Sequence, residues 1–412
     1  MSTILEENAV QNATRLFPNI QFIYELELAR WEFSALTGID GHGDNLRNFG
    51  GSEIDCESTS YLKHRTAYLQ QVQGEVTDYA TLTSRNRTRS PNQFLTHWIY
   101  PYKGKFHPQM IRALLNIIGV KAGDLVLDPF VGSGTAAVEA QLLGARFTGF
   151  DVSPVCEILG QVKTQSHEVA DQIEIHKSKV IASISDNLSL FEGSSSFDEI
   201  ISEISDARVQ RFFQVARLLS LSDNVRRGRE LAASFARNVE AMLISAYAFA
   251  EVTRTLGIPL QPISIQRGDA RHLPLEAESV DAIVTSPPYS IALDYVANDA
   301  HSLEALGYNV ERIREDFIGV RGRGKERVEF FERDMEAALN EMFRVLKTGG
   351  HCVLILGNAT VNGIEVPTVQ NTISHCLELG FKLIRTVEKT IFGLYNIMQS
   401  ESILVFRKME NS

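Results

Sequence analysis

From Phe106 onward, short apolar runs alternate with stretches in which apolar residues recur every three or four positions, so strands and helices take turns along the chain. HPQMIRALLNIIGV (107–120) predicts a helix and DLVLDPF (124–130) a strand. TAAVEAQLLG (135–144) predicts a second helix that Gly144 stops, and ARFTGFDV (145–152) a second strand. Two strands joined through a helix fit a right-handed βαβ unit. Residues 156–262 carry helical spacing throughout, as in VQRFFQVARLLSL and AMLISAYAFA. Strand patterns return in PISIQRGDA, SVDAIVTSPPY and HCVLILGN, then in FKLIRTVEKT and ESILVFRK, with amphipathic helices predicted at 328–346 and 367–379. The pattern is that of an α/β sheet interrupted by a helical insertion.

Upstream, Phe22, Ile23, Leu26, Phe33 and Leu36 predict a helix, and the Gly-, Asp- and Asn-rich stretch 38–53 a long loop. Arg85, Arg87 and Arg89 stand among Ser, Thr and Asn in 78–96, which reads as a linker or a phosphate-contacting strip.

Two segments carry candidate chemistry. In the first, Asp128, Pro129, Phe130, Val131, Gly132, Ser133, Gly134 and Thr135 take a strand through a glycine turn into a helix. Glycines let a ligand approach the backbone, and the first turn of the helix presents unpaired N–H groups. Asp151 closes the next strand, where a carboxylate can accept from both hydroxyls of a ribose. GSGTAA also satisfies G-x-G-x-x-A, so this segment alone is compatible with a nicotinamide dinucleotide or with a turn that only packs strand on helix.

In the second, Ser286, Pro287, Pro288 and Tyr289 follow the apolar strand VDAIVT. Two prolines stiffen the loop and remove two donors, leaving carbonyl oxygens as acceptors beside the Ser286 hydroxyl, while Tyr289 offers a flat face. Such a set suits a planar ring bearing an amine, whose developing positive charge the oxygens would stabilise. A packed proline-rich strand end is the structural alternative.

With both segments present, the sequence resembles the S-adenosylmethionine-dependent DNA methyltransferases that modify exocyclic amines, cytosine-N4 or adenine-N6. The resemblance rests on DPFVGSGT (128–135), TSPPY (285–289) and their connection to RVLKTGG (344–350), over about 95–408 without the insertion. It implies a class I, Rossmann-like methyltransferase fold, mostly parallel with an antiparallel last strand, binding S-adenosyl-L-methionine.

The resemblance also implies roles. Lys105 and Phe106, in YPYKGKFHP, would close over the methionine end of the cofactor, and Gly132, Ser133, Gly134 and Thr135 with Asp128, Pro129 and Phe130 would hold it. Asp151 and Val152 would meet the ribose, and Asp269 and Ala270 the adenine. Ser286, Pro287, Pro288 and Tyr289 would carry catalysis on a base flipped out of DNA. Asp294 and Tyr295 resemble positions that shape the target pocket. The S-P-P-Y form is more typical of cytosine-N4 enzymes. Cytosine-C5 chemistry needs a cysteine nucleophile, usually after proline, and no cysteine here follows one.

The division that follows is an N-terminal extension (1–94), a catalytic domain (95–155 and 263–412) and a helical insertion (156–262). No target-recognition domain is evident after the core, so the insertion and the basic loop with Arg321, Arg323, Lys325 and Arg327 are the candidates for contacting nucleic acid. Two competing readings are a transfer-RNA guanine-N2 methyltransferase, which shares the motif order, and a catalytically silent cofactor-binding subunit. The resemblance further implies a restriction endonuclease partner in the same system.

Composition trims these options. Forty Lys and Arg against 51 Asp and Glu leave −11, which argues against a chain coated with basic residues but not against a local basic groove. Four scattered cysteines, the absence of metal-ligand spacing among the histidines, and an acidic start without signal-peptide character point to a metal-free protein of the reducing cytoplasm, nucleoid-associated when on DNA. The longest apolar run, 241–250, is too short to span a bilayer, so no membrane is expected.

Overall fold

The computed structural model describes residues 14–39, 54–85, 90, 92–185, 194–288, 294–361, 364–390 and 400–410. In chain order, the extension holds β1 (Arg15–Leu16), α1 (Ile23–Thr37), α2 (Cys56–Arg65), β2 (Leu69–Val72), β3 (Glu75–Val76) and α3 (Asp78–Ser84). Then follow α4 (Pro108–Ile117), β4 (Leu125–Asp128), α5 (Thr135–Leu142), β5 (Arg146–Asp151) and α6 (Pro154–Gln165). The helical run continues with α7 (Ala170–Ser185), α8 (Ser194–Ser202), α9 (Ala207–Arg227) and α10 (Leu231–Thr255). After β6 (Ile263–Arg267) and β7 (Val280–Thr285) come α11 (Tyr295–Asn298), α12 (Ala300–Ala305), α13 (Val310–Asp316) and α14 (Gly324–Val345). The chain closes with β8 (Leu346–Leu356), β9 (Ala359–Val361), β10 (Ile364–Val366), α15 (Thr368–Leu379), β11 (Phe381–Thr390) and β12 (Ser400–Lys408).

Among the described residues, seven strands form the main sheet in the order β6-β5-β4-β7-β8-β12-β11. Only β12 runs against its neighbours, wedged antiparallel between β8 and β11. This is the mostly parallel α/β sheet with an antiparallel last strand expected from the sequence. The strand order turns back between β4 and β7, and in open parallel sheets ligands sit at the carboxyl ends of strands at such a point.

Alternation along the strands builds two faces. Val126, Val284, Val353 and Ile403 enter one apolar cluster, and Leu127, Ile283, Leu354 and Leu404 another. The first face is covered by α4 and α5, and also by Leu28 and Phe33 of α1. Burying two such side chains stabilises by roughly 1.5–3 kcal/mol each, so the extension shares the core of the sheet. The second face is covered by Leu339 and Met342 of α14 and by Cys376 of α15. A third cluster unites Phe212, Phe213, Phe235 and Met242 of α9 and α10 with Ile99, Tyr100, Val296 and Phe317.

Three expectations change. The stretch 78–96 is no linker over its described part: its start is α3, and Phe94 and Leu95 are fully buried, packed with Val138 and Phe249. The basic segment 321–327 is not one flexible loop, because α14 begins at Gly324 and absorbs its second half. Phe331 and Met335 on the helix's apolar stripe anchor that start. Helix α14 therefore starts four residues before the 328 expected. The predicted loop 38–53 lies outside the described residues from residue 40 onward, as do Arg87 and Arg89.

Candidate functional site

The carboxyl ends of β4, β5, β6 and β7 open onto one cleft. Its lining includes Lys105, Phe106, Pro129, Phe130, Gly132, Ser133, Thr135, Asp151, Val152, Asp269, Ala270, Ser286 and Pro288, so residues chosen from five separate segments meet.

The turn after β4 explains its own sequence. Gly132 has φ 48 and Gly134 φ 78, the left-handed region that other residues enter at a cost. A Cβ on Gly132 would lie 3.3 Å from the Tyr102 ring, and one on Gly134 2.9 Å from the Gly160 backbone of α6. The Gly134 N–H closes the turn on the Val131 carbonyl at 2.9 Å. Beneath it, the fully buried Lys163 ammonium of α6 donates to the Ser133 carbonyl at 2.7 Å. No sequence signal marked Lys163, because a lysine at helical spacing reads as a solvated face.

Asp151 takes backbone N–H bonds from Gly132 and Ser153, each at 2.9 Å. Burial pushes its carboxyl up to about 6, against the lowering effect of these donors. The Cys156 side chain also bonds this carboxyl, and with three donors on two oxygens it keeps acceptor capacity for a ligand.

Asp128 departs from expectation. It is buried behind the cleft wall, accepting at 3.0 Å from the Phe130 N–H and at 2.5 Å from the Thr285 hydroxyl. Burial pushes its carboxyl up to about 7. Its work is to tie the end of β4 to the end of β7, which sets the glycine turn beside Ser286. Gly134 likewise lies outside the lining and acts through packing.

Asp269 lines the cleft, but its carboxylate already faces the Arg271 guanidinium, with bonds of 2.7–3.0 Å. Burial pushes this carboxyl up, and the bonds from the Arg271 side chain and backbone outweigh burial and leave it below its usual value. Arg271 in turn reaches Asp334 of α14 at 3.2 Å and the Asp316 carbonyl at 3.1 Å, and Asp334 is also paired with Arg321. Of the four cations expected to face nucleic acid, Arg321 is thus turned inward, and Arg327 donates to the Gly319 carbonyl at 2.7 Å. Arg323 and Lys325 are exposed at the start of α14.

An aromatic stack adjoins the glycine turn at Tyr102. Tyr102 and Tyr295 stack at 6.1 Å between ring centroids, and Tyr295 and Phe317 at 6.3 Å. All three line the cleft with Ser286 and Pro288. Phe317 and Ile318 had no sequence signal, since they follow a helix distant in the chain from either motif. Pro287, between Ser286 and Pro288, is buried, and Tyr289 lies outside the described residues. Lys105 donates to the carbonyls of Asn92 and His97, and burial brings its ammonium down to about 8. None of the four cysteines lines the cleft, and among the described residues no His, Cys, Asp or Glu cluster could hold a metal ion. No described helix is long and apolar enough to cross a membrane.

Comparison with known proteins sharpens this geometry. The family model described as DNA methylase matches residues 54–159, which hold the glycine turn and Asp151. The chain is 36% identical over 88 residues to the Type II methyltransferase M.MjaII of Methanocaldococcus jannaschii, covering 21% of this chain and 16% of that one. It is 30% identical over 129 residues to the Type II methyltransferase M.BsoBI of Geobacillus stearothermophilus, 27% of this chain and 25% of that one. It is also 47% identical over 51 residues to a tRNA (guanine(10)-N2)-dimethyltransferase of Methanothermobacter thermautotrophicus, 12% of this chain and 15% of that one. The matched stretches thus span at most a quarter of these relatives' lengths. The resemblance to amino-methylating DNA methylases holds over 54–159, and the Ser286–Tyr289 segment stands beyond that stretch.

Proposed function

We propose that this protein transfers a methyl group from S-adenosyl-L-methionine to the exocyclic amine of a DNA base, cytosine-N4 ahead of adenine-N6. The observation that carries the reading is the juxtaposition at the turn-back of the sheet. The Thr285–Asp128 bond pins the Ser286-Pro287-Pro288 loop beside the glycine turn, so a ligand-cradling wall and an amine-accepting loop share one cleft.

The residues fit the cofactor. The Gly132 backbone lines the cleft with the Tyr102 ring packed against it, and Asp151 retains acceptor capacity for a ribose diol. Lys105, Phe106, Pro129, Phe130, Ser133, Thr135, Val152 and Ala270 complete its surroundings. Bound there, S-adenosylmethionine supplies an electrophilic methyl group.

The chain's own groups do the rest. The Ser286 hydroxyl and the carbonyls beside the two prolines accept from the amine's hydrogens, which turns its lone pair toward the cofactor wall. The same oxygens stabilise the positive charge that grows on the nitrogen, and the surplus proton leaves to water. Tyr102, Tyr295 and Phe317 exclude water from the ring's face, and Tyr289 would stack on it. Direct transfer needs no covalent intermediate, in keeping with a cleft without a cysteine.

The cytosine-N4 preference rests on the serine that opens the S-P-P-Y motif. A second reading, guanine-N2 methylation of tRNA, is favoured by the likeness to the tRNA (guanine(10)-N2)-dimethyltransferases. A restriction endonuclease partner accords with relatives named Type II methyltransferases.

Labelled S-adenosylmethionine, given with duplex DNA of mixed sequence or with total tRNA, tests the reading after nucleoside digestion and mass spectrometry. N4-methylcytosine is the expected product. N6-methyladenine would correct the base, and label confined to tRNA guanosine would establish the second reading instead.

A further inference from the structure

A second cleft adjoins the first. It runs between the 98–105 segment and helices α9 and α10, and shares Tyr102 and Lys105 with the cofactor cleft. The shared wall is rigidly held. Tyr100 has φ 67, and its hydroxyl bonds Asp299 and Ser302, each at 2.8 Å, while the Lys103 ammonium bonds Asn298 at 2.6 Å.

Across the cleft, the end of α9 and the residues just past it carry Arg226, Arg227 and Arg229, all exposed. Arg227 and Arg229 share a single carboxylate, Asp223, at 3.1 Å each, and Arg226 donates to the Pro101 carbonyl at 3.0 Å. Against Arg226, Arg227 and Arg229, with Lys103 and Lys105 on the facing segment, stand Asp223, Glu230 and Asp299, so positive charge is in excess here on a chain whose total is −11. A helix C-terminus favours cations through its dipole, which accounts for Arg226 and Arg227 in the last turn of α9. Arg229, beyond the Gly228 cap, lies outside that account and still turns onto the same carboxylate.

We propose that Arg226, Arg227 and Arg229 contact the phosphate backbone of the DNA strand whose base enters the adjoining cleft. The inference rests on the function proposed above. A base swung out of a duplex draws its own phosphates toward the mouth of the pocket, and cations there neutralise them and release counterions. The half-buried Trp98, fixed by its indole N–H to the Ser245 hydroxyl at 2.8 Å, lines the same cleft and gives it a flat apolar floor. Helices α9 and α10 thereby gain a role as one bank of the nucleic-acid channel.

The test uses the full chain carrying Arg226→Gln, Arg227→Gln and Arg229→Gln together, with Arg229→Gln alone as a second variant that leaves α9 intact. Binding to mixed-sequence duplex DNA and to total tRNA is measured across salt, and S-adenosylmethionine binding in parallel. The expected result is a DNA affinity lowered about tenfold or more for the triple variant. The slope of log affinity against log salt should shrink by about 0.9 per lost contact, with cofactor binding unchanged. Arg229→Gln should show about one third of the slope change. Wild-type DNA affinity and slope in both variants would overturn the proposal, whether or not the wild type methylates DNA. If the wild type binds only tRNA, and the triple variant loses that binding, the DNA assignment falls together with the proposed function. If wild-type DNA binding shows the predicted loss while methyl transfer to DNA is absent, the contact surface stands and the proposed reaction fails.

Discussion

The two walls of the cofactor cleft are made in different ways. The β4–β5 wall is local: a turn of a few residues, the carboxylate at the end of the next strand, and backbone N–H groups that hold that carboxylate in place. The other wall, which meets the first where Tyr102 packs on Gly132, is assembled from Tyr102, Ser286, Tyr295 and Phe317, which come from distant parts of the chain. A local wall presents fixed donors and acceptors to a constant ligand. An assembled wall can change with its substrate, because each contributor sits on its own element.

Three experiments press on that contrast. The largest effect belongs to the assembled wall. Ser286→Ala should lower kcat about a hundredfold, in the range for losing one group that stabilises developing charge, with cofactor affinity nearly unchanged. A comparable loss of cofactor binding, measured by calorimetry, would show that the two walls are not separable.

Asp151→Asn strikes the local wall and should weaken cofactor binding about tenfold, near the value of one charge-assisted hydrogen bond. Its pH dependence identifies the cause. Burial raises this carboxyl from 3.8 to about 6, so the folded protein without ligand holds an extra proton between those values, and Asp151's contribution to stability is lost as pH rises through about 6. The carboxylate that accepts from ribose exists only above about 6, so wild-type affinity should rise between pH 5 and 7. The Asn variant should show no such rise, and an unchanged profile would remove Asp151 from the ribose site.

The smallest effect tests the link between walls. Arg321, Asp334, Arg271 and Asp269 form an ionic chain from the start of α14 to the cleft. Asp334→Asn should raise KM for the cofactor about threefold at constant kcat, while Arg271→Lys, which keeps the charge but not the bidentate fork, should lie between the variant and wild type. Identical KM values in all three proteins would make the chain purely structural.

Much of the local wall was legible in the sequence because its residues are neighbours and their constraints are local. Gly132 and Gly134 announce left-handed backbone, and the unbroken apolar run Leu125–Leu127 announces a strand buried on both faces. Asp128 was legible in place but not in role, since its buried bond to Thr285 joins residues that only the sheet makes adjacent. The RGRGKER segment misled because charge and glycine signal a loop, whereas packing of Phe331 and Met335 starts the helix at Gly324. Lys163 was invisible because a buried ammonium is indistinguishable by spacing from a solvated one.

The sequence by itself determined the alternation of strand and helix, the glycine turn, and the pairing of two motifs in chain order, because each depends on residues a few positions apart. The strand order that brings β4 and β7 together was decided by tertiary structure. So were the stack of Tyr102, Tyr295 and Phe317, the ionic chain to Asp269 and the basic rim at Arg226–Arg229, because each depends on which distant surfaces bury one another.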